Sequence, residues 1–277
     1  MRLCLFSPLE RPVRGWVGAI EGDRVIHLAA QNLPSFFTGG GSAREHDEYA
    51  LEDVRLLAPV PRPPSVRDAY AFEEHIKNAA RVTGRPGVPE EWYELPVFYF
   101  SNPAAIYGPD DEIPYPAGSN ELDYELEVAA VIGDVTSTNV IGGFTIMNDW
   151  SARDLQRREM KVGLGPAKGK DFATSLGPVV VTPDELGDLR LEMVARVNGE
   201  ERSRGNLGDM YHSWDGILER ASANTELVPG DVIGSGTVGT GCILEQGDGR
   251  WLQPGDVVEL EVDGIGVLRN RVGKKHG

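Results

Sequence analysis

The chain has 277 residues, of which 40% are hydrophobic and 25% are charged. This length predicts one large domain, or one domain with a small appendage, whose core needs no disulfide or structural metal. The net charge of −16 argues against nucleic acid or an anionic membrane as a partner, because both require a basic surface.

The cysteines and the N-terminus indicate a soluble protein of a reducing cytoplasm. Cys4 and Cys242 are the only cysteines and lie far apart in sequence, so neither a disulfide framework nor a thiolate zinc site is expected. The apolar stretch at the N-terminus is too short for a signal peptide. No apolar run approaches the ~18 residues that a membrane helix requires.

Residues 1–57 are expected to form a small β-rich domain. Within it, residues 14–29 alternate in the manner of a hairpin, with Glu21, Gly22 and Asp23 as the turn. A proline-rich connector follows at 58–67 and delivers an extended chain to Asp68. We therefore assign the catalytic domain to residues 68–277.

The elements after the connector predict a mainly β (α+β) protein. A helix is expected over 71–84, ending at Gly84, and two further helices over 151–160 and 211–222. Strands are expected at 96–100, 122–133, 142–149, 177–182, 191–200, 231–236, 256–262 and 266–272. Pro-Gly-Asp-Val occurs at 229–232 and at 254–257, each as a turn before a strand. Because no βαβ alternation is present, the sheets should be largely antiparallel.

Three acidic residues alternate along one predicted strand. Asp123, Glu125 and Glu127 would lie on the same face of that strand, where like charges repel. Residues 259–263 show the same alternation, but there the apolar partners face inward and the acids face water. The run that follows Glu127 is apolar at every position, which indicates a strand buried on both faces. Buried acids require a partner, and a divalent cation would provide one.

Asp149 is a further candidate ligand. It lies where an apolar strand ends and a helix begins, so it could either cap the helix or bind a metal. A site built only from oxygen atoms favours Mg²⁺, Mn²⁺ or Ca²⁺ over zinc.

Four motifs follow one another along the chain: Glu-Leu-Glu at 125–127, Asn-Asp-Trp-Ser-Ala-Arg-Asp-Leu-Gln at 148–156, Gly-Lys-Asp-Phe at 169–172 and Gly-Asp-Val-Ile-Gly-Ser-Gly-Thr at 230–237. Together they resemble the fumarylacetoacetate hydrolase family. Their order and spacing are similar to those of the family from about Asp68 to the C-terminus. The resemblance implies a mixed β-roll/β-sandwich with a few helices, a homodimer, and a metal-dependent enzyme. Residues 1–57 are too few for the larger N-terminal domain of fumarylacetoacetase itself.

The resemblance also implies the residues of the site. The metal ligands would be Asp68, Glu125, Glu127 and Asp149, with Asp123 as a neighbour. The catalytic residues would be His75, Glu245 and Lys170. Substrate contacts would come from Tyr70, Tyr99, Arg153, Gln156 and Thr237. A second arginine of the site has two candidates, Arg81 and Arg85.

These residues match the needs of hydrolytic cleavage between two carbonyl groups. His75, oriented by Glu245, would generate hydroxide near pH 7. Lys170 would stabilise the oxyanion, with Gln156 or Arg153 assisting. Mg²⁺ would stabilise the departing enolate. The expected substrate is a small β-diketone or 2-oxo acid, of the fumarylacetoacetate, fumarylpyruvate or acylpyruvate type.

Three other interpretations compete with this one. Relatives on the same fold hydrate, decarboxylate or tautomerise 2-oxo acids, and the pairing of His75 with Glu245 favours hydrolysis over these reactions. A dinucleotide site would use Gly234, Gly236 and Gly239, but the turn-rich segment that follows is not the required helix. A non-enzymatic β-rich binding module would leave the acidic residues unexplained.

Overall fold

The computed structural model describes residues 1–138 and 140–275. The strands are β1 (Arg2–Pro8), β2 (Trp16–Glu21), β3 (Arg24–Leu28), β4 (Glu45–Ala50), β5 (Val54–Leu57), β6 (Val66–Ala69), β7 (Phe98–Ser101), β8 (Ile106–Tyr107), β9 (Glu112–Tyr115), β10 (Leu122–Asp123), β11 (Leu126–Ile132), β12 (Ile141–Asp149), β13 (Ser151–Ala152), β14 (Thr174–Val181), β15 (Glu192–Val197), β16 (Glu200–Asn206), β17 (Val232–Gly234), β18 (Val257–Val262) and β19 (Gly266–Lys275). The helices are α1 (Leu33–Thr38), α2 (Glu73–Thr83), α3 (Glu90–Glu94), α4 (Arg153–Met160), α5 (Pro183–Leu186), α6 (Trp214–Ser222) and α7 (Ile243–Gln246).

The strands form one large and one small mixed sheet, which confirms the predicted mainly β class. The large sheet runs in the order β4-β3-β2-β1-β14-β12-β11-β17-β6-β7, with β5 beside β1 and β8 beside β14. The smaller sheet runs β16-β15-β18-β19-β9, and β10 pairs with β13. Most neighbours are antiparallel, whereas β14–β8, β17–β6 and β19–β9 are parallel.

Strand β11 lies at the centre of the large sheet, between β12 and β17. Every residue of β11 is buried, as the apolar run after Glu127 predicts. Its side chains alternate between two hydrophobic cores: Val128 and Ala130 face one, whereas Ala129 and Val131 face the other. Glu127 shares the face of Ala129 because residues two apart on a strand point the same way. A carboxylate is therefore placed inside the protein.

The N-terminal residues extend the large sheet. The predicted hairpin is present as β2 and β3, with Glu21 opposite Arg24 and Gly22 at a positive φ of 61° in the turn. β1 pairs with β14, so the first strand belongs to the same sheet as strands that follow residue 57. β6 begins at Val66, inside the segment predicted as connector. The boundary between domains at residue 57 stays a prediction.

The helices agree with the predictions in kind and differ at their ends. α2 ends at Thr83, and Gly84 adopts the left-handed conformation expected of a helix terminator. α4 begins at Arg153 and not at residue 151, because Ser151 and Ala152 pair with β10. α6 begins after Ser213, whose side chain accepts a hydrogen bond from the Gly216 N–H.

The predicted strands omit β8, β9 and β16, and one predicted strand is interrupted. The single strand expected over 122–133 is interrupted at Tyr124–Glu125. There the Glu125 N–H donates to the side chain of Asn148 in β12 and not to the backbone of a neighbouring strand. β16 was not predicted, because its polar sequence lies at the edge of the smaller sheet and lacks a buried face. No helix in the described parts of the chain has the length and hydrophobicity needed to cross a bilayer.

Candidate active site

The predicted site residues converge on one cavity of about 630 Å³. Its lining includes Asp68, Tyr70, His75, Tyr99, Glu125, Arg153, Gln156, Lys170 and Thr237. Glu127, Asp149 and Glu245 lie behind this lining and contact it through Thr237, Lys170 and His75. The structure therefore brings together in space residues that are up to 177 positions apart in the chain, from Asp68 to Glu245.

Three of the carboxylates come from strands of the large sheet, and Glu125 immediately precedes β11. β6 pairs with β17, which pairs with β11, and this order places Asp68 beside Glu127. β12 ends at Asp149 on the other side of β11. Oxygen atoms of Asp68, Glu125 and Asp149 all lie within 4.8 Å of one another. None of the four residues Asp68, Glu125, Glu127 and Asp149 is more than 4% exposed.

Two buried cations neutralise part of this charge. The Lys170 ammonium donates to Glu125 and to Asp149 Oδ2, the latter at 2.6 Å. Arg153 bridges Glu125 Oε1 and Asp123 Oδ2, each at 2.8 Å. Asp123 also accepts hydrogen bonds from the backbone of α7, at Ile243 and Leu244. Its oxygen atoms are thus directed away from the other carboxylates.

The remaining acids are held in an unfavourable environment. Burial raises the pKa of Asp68 and of Glu127 well above the usual range, and the neighbouring carboxylates raise it further. Burial acts on Glu125 in the same direction, but Lys170 and Arg153 outweigh it and lower the pKa of Glu125 to about 2. The site therefore contains five buried acidic side chains against two buried cations, and Asp68 and Glu127 are the acids least able to ionise there.

The donor atoms fit a hard divalent cation. Among the described residues, Asp68 Oδ1, Glu127 Oε2 and Asp149 Oδ1 are buried without a hydrogen-bond partner, which is costly for a carboxylate. Gly234 leaves the space beside two of them open: a Cβ atom there would lie 2.6 Å from Asp68 Oδ1 and 2.8 Å from Glu127 Oε2. Oxygen ligands of this kind suit Mg²⁺, Mn²⁺ or Ca²⁺.

A histidine–glutamate pair lies at the wall of the same cavity. The Nδ1–H of His75 donates to Glu245 Oε1 at 2.7 Å, and both side chains are buried. The Cys242 thiol donates to the same oxygen at 3.4 Å. Burial, followed by the charge of Asp123, raises the pKa of Cys242 well above its usual value. Cys242 is therefore a neutral thiol beside the pair and not a thiolate nucleophile.

The predicted substrate contacts are close to the same groups. The Tyr99 hydroxyl donates to Asp149 Oδ2, and the Thr237 hydroxyl donates to Glu127 Oε1 at 3.3 Å. Gln156 Oε1 accepts a hydrogen bond from Arg153 at 3.1 Å. The Tyr70 ring packs edge-on against His75. All five predicted substrate-contact residues line the cavity, and their contact with a substrate stays a prediction.

Comparison with known proteins identifies the family. The profile of the fumarylacetoacetate (FAA) hydrolase C-terminal domain matches residues 65–273, which is most of the chain. The chain belongs to the fumarylacetoacetate hydrolase family. The resemblance read from its motifs is thereby confirmed.

Relatives of this family member include enzymes with isomerase names. The oxaloacetate tautomerase YisK of Bacillus subtilis is 32% identical over 271 residues, which cover 91% of the chain and 84% of the relative. A human mitochondrial oxaloacetate tautomerase is 34% identical over 79% of the chain and 70% of its own length.

Solved structures cover the whole fold of this family member. A 5-carboxymethyl-2-hydroxymuconate delta-isomerase from Mycobacterium smegmatis superposes with a TM-score of 0.77, at 31% identity, over 99% of the chain and 100% of the neighbour. A fumarylacetoacetate hydrolase from Exiguobacterium antarcticum gives a TM-score of 0.81, at 27% identity, over the same shares.

Two helices of this family member extend the cavity wall beyond the predicted residues, through Ala79, Thr83, Arg157 and Met160. His75, Ala79 and Thr83 lie four residues apart on one face of α2 and lead outward over about 12 Å. Arg153, Gln156, Arg157 and Met160 line the cavity from α4 at helical spacing. The helical period is the signal that could have identified these positions. Of the two candidate arginines, Arg85 lines the cavity, and Arg81 is not part of the lining.

Proposed function

We propose that this enzyme hydrolyses a carbon–carbon bond in a β-diketone acid of the fumarylpyruvate or acylpyruvate type, with a divalent cation as cofactor. The observation on which this rests is the hydrogen bond between His75 and Glu245 on the wall of the cavity that contains the carboxylate cluster. A base and a metal-binding group then face the same enclosed space.

His75 is suited to remove a proton from water. Glu245 accepts the Nδ1–H and so fixes one tautomer, which leaves Nε2 free to accept a proton. An imidazole performs this task near pH 7 because its ordinary pKa lies close to that value. Glu245 also stabilises the imidazolium ion that forms, as the carboxylate of other catalytic triads does.

Asp68, Glu125, Glu127 and Asp149 would hold the cation, whose chemistry when bound is Lewis-acid stabilisation of negative charge on the substrate oxygens. The Gln156 side chain accepts from Arg153 through Oε1, so its amide nitrogen is left to donate toward the cavity. Lys170 uses two of its three N–H groups on Glu125 and Asp149 and retains one. These donors would stabilise an oxyanion formed by attack of water.

The lining of the cavity suits an elongated, anionic substrate. It includes the apolar side chains of Ala79, Val97 and Met160 and the positive charges of Arg85 and Lys161. Oxaloacetate has nine non-hydrogen atoms, which at roughly 30 Å³ each would fill about 270 Å³ at most. A substrate longer than oxaloacetate therefore suits a cavity of about 630 Å³.

The second candidate is keto–enol tautomerisation of oxaloacetate, favoured by the names of two relatives that are more than 30% identical to the chain. This reaction needs a base and a cation but no attack by water, and the same residues would perform it. His75 would then move a proton at carbon.

A homodimer and a cytoplasmic location are further expectations. Light scattering of the purified protein tests whether it is a homodimer.

One experiment separates the two candidates. Chelator-treated protein receives fumarylpyruvate, an acylpyruvate or oxaloacetate, with and without Mg²⁺, while the ultraviolet band of each conjugated or enol form is followed and the products are identified by chromatography. Hydrolysis predicts metal-restored loss of the diketone band with two acid fragments. Interconversion of oxaloacetate tautomers without any cleavage of the diketones would select the second candidate.

Variants make the assignment of the base testable in the same assay. His75→Gln should lower turnover by at least about a hundredfold, which is the lower range for loss of a general base. Lys77→Ala is the matched control, since Lys77 lies two residues away on α2 with an exposed side chain paired only with Glu73 in the described contacts. Full turnover by His75→Gln would contradict both candidates as written.

A further inference from the structure

The carboxylate of Glu245 receives hydrogen bonds on both oxygen atoms. Oε1 accepts from His75 and from Cys242. Oε2 accepts from the Asn78 side-chain amide at 3.0 Å and from the Thr240 backbone N–H at 2.8 Å. A carboxylate that accepts hydrogen bonds on both oxygen atoms is held in one orientation.

The donor at Thr240 is held in a backbone conformation that threonine rarely adopts. Its φ of 67° lies in the left-handed region, which is unfavourable for a β-branched residue. The hydroxyl of Thr240 is fixed by the Arg204 carbonyl at 3.0 Å. A Cβ atom at Gly239 would lie 2.8 Å from the Glu74 carboxylate, and one at Gly241 would lie 2.6 Å from the Val238 carbonyl. Strain of this kind concentrates at functional sites, where surrounding contacts maintain it.

The donor at Asn78 belongs to the same helix as the base. Asn78 follows His75 by three residues on α2, so both side chains lie on neighbouring parts of one helical face. Glu245 comes from α7, 170 positions after His75. The two contacts from α2 therefore fix α7 against α2 and define which oxygen of Glu245 faces His75.

We propose that Asn78 and the turn Gly239–Thr240–Gly241 are positioning groups that hold Glu245 so that His75 carries its proton on Nδ1 and presents Nε2 to the cavity. This inference rests on the proposed role of His75 as base. Neither group needs to contact the substrate for this role. They act through Glu245, because loss of the contacts on Oε2 frees the carboxylate to rotate away from Nδ1.

The test uses Asn78→Leu, which nearly keeps the size of the side chain and removes the donor without adding a charge beside Glu245, and Asn78→Ala, which removes the contact. Lys77→Ala is the control on the adjacent, exposed position of α2. With the substrate that wild type turns over, kcat should fall about tenfold or more in both Asn78 variants, as expected for one hydrogen bond to a charged group, and KM should stay within about twofold.

A spectroscopic measurement separates positioning from a general loss of structure. Full-length protein labelled with ¹⁵N-histidine reports the protonation of each ring nitrogen, and the signals of His75 are those missing from His75→Gln. Wild type and Lys77→Ala should show a protonated Nδ1 and an unprotonated Nε2. Both Asn78 variants should show a mixed population at His75 while the signals of His212, which is bound to the Trp92 carbonyl, are unchanged.

The outcomes are distinguishable from failure of the proposed function. If His75→Gln keeps full turnover, the role of His75 as base is wrong. If His75→Gln is inactive but both Asn78 variants retain wild-type kcat and an unchanged His75 spectrum, the proposal for Asn78 alone is overturned. A changed His212 spectrum in the Asn78 variants would also overturn it, since the effect would then be a wider structural change.

Discussion

Replacing Gly234 with alanine tests the metal site without removing any ligand. The added Cβ atom would lie 2.6 Å from Asp68 Oδ1, 2.7 Å from Met147 Cε and 2.8 Å from Glu127 Oε2. These separations are well below an ordinary van der Waals contact, so both carboxylates must retreat by roughly half an ångström or more. Mg²⁺ requires near-ideal octahedral geometry, with metal–oxygen distances of about 2.0–2.1 Å. A shift of this size therefore disrupts a site to which Asp68 and Glu127 both contribute.

We expect Gly234→Ala to weaken Mg²⁺ binding by at least about tenfold, with a loss of roughly 1–3 kcal/mol in the free energy of unfolding from overpacking. Calorimetric titration of chelator-treated protein with Mg²⁺ or Mn²⁺ measures the first effect, and urea unfolding measures the second. Mn²⁺ should show the smaller change, because its demand for ideal geometry is weaker.

Gly143→Ala is the matched control. Gly143 also lies in a strand of the large sheet, and its added Cβ would lie 2.5 Å from Val180 Cγ1 and 2.7 Å from the Val181 carbonyl. It should lose similar stability while retaining wild-type affinity for the metal. If Gly234→Ala binds Mg²⁺ as tightly as Gly143→Ala does, the carboxylates beside Gly234 do not form the metal site.

Three further predictions follow from the buried ionisable side chains. Glu127→Gln should abolish the rise in melting temperature that Mg²⁺ causes in wild type. At a Mg²⁺ concentration about a hundredfold above Kd, binding stabilises the wild type by ~2.7 kcal/mol. Calorimetry with and without Mg²⁺ measures the rise. Lys170→Met should destabilise the chelator-treated protein by about 3–5 kcal/mol in urea unfolding, because Glu125 and Asp149 lose their buried cation. Burial raises the pKa of Cys4 to about 12 and that of Cys242 well above normal, so iodoacetamide at pH 8 should leave the native protein unlabelled and modify both cysteines after denaturation, as mass spectrometry would show.

Local sequence signals predicted the elements whose cause is local. Gly84 ends α2 because a glycine adopts the left-handed conformation at little cost, and Gly22 closes the first hairpin for the same reason. The break at Tyr124–Glu125 could not be predicted in this way. It depends on the Asn148 side chain, which arrives from another strand and takes the Glu125 N–H out of the ladder.

The site was predictable where a motif is contiguous and unpredictable where it depends on strand order. Asp149 and Arg153 belong to one motif, and their proximity follows from the passage of a strand into a helix. Asp68 reaches Glu127 only because β6 adds in parallel to β17, a pairing between residues more than 160 positions apart. Nothing in the local pattern around Asp68 specifies that neighbour, so the resemblance to a family supplied it.

Two strands with nearly the same alternation of acids show what decides the function of a carboxylate. In β18, Glu259 and Glu261 are half-buried between the fully buried Val258, Leu260 and Val262, because only one face of that strand packs against a core. In β11, the residues on both faces are buried, so Glu127 is fully buried as well. The distinguishing signal in the sequence is therefore not the spacing of the acids but the apolar residues on both faces of the strand beside them. A charge on such a strand can be retained only with a counter-charge, and the unpartnered oxygens of Asp68, Glu127 and Asp149 mark where a cation would supply it.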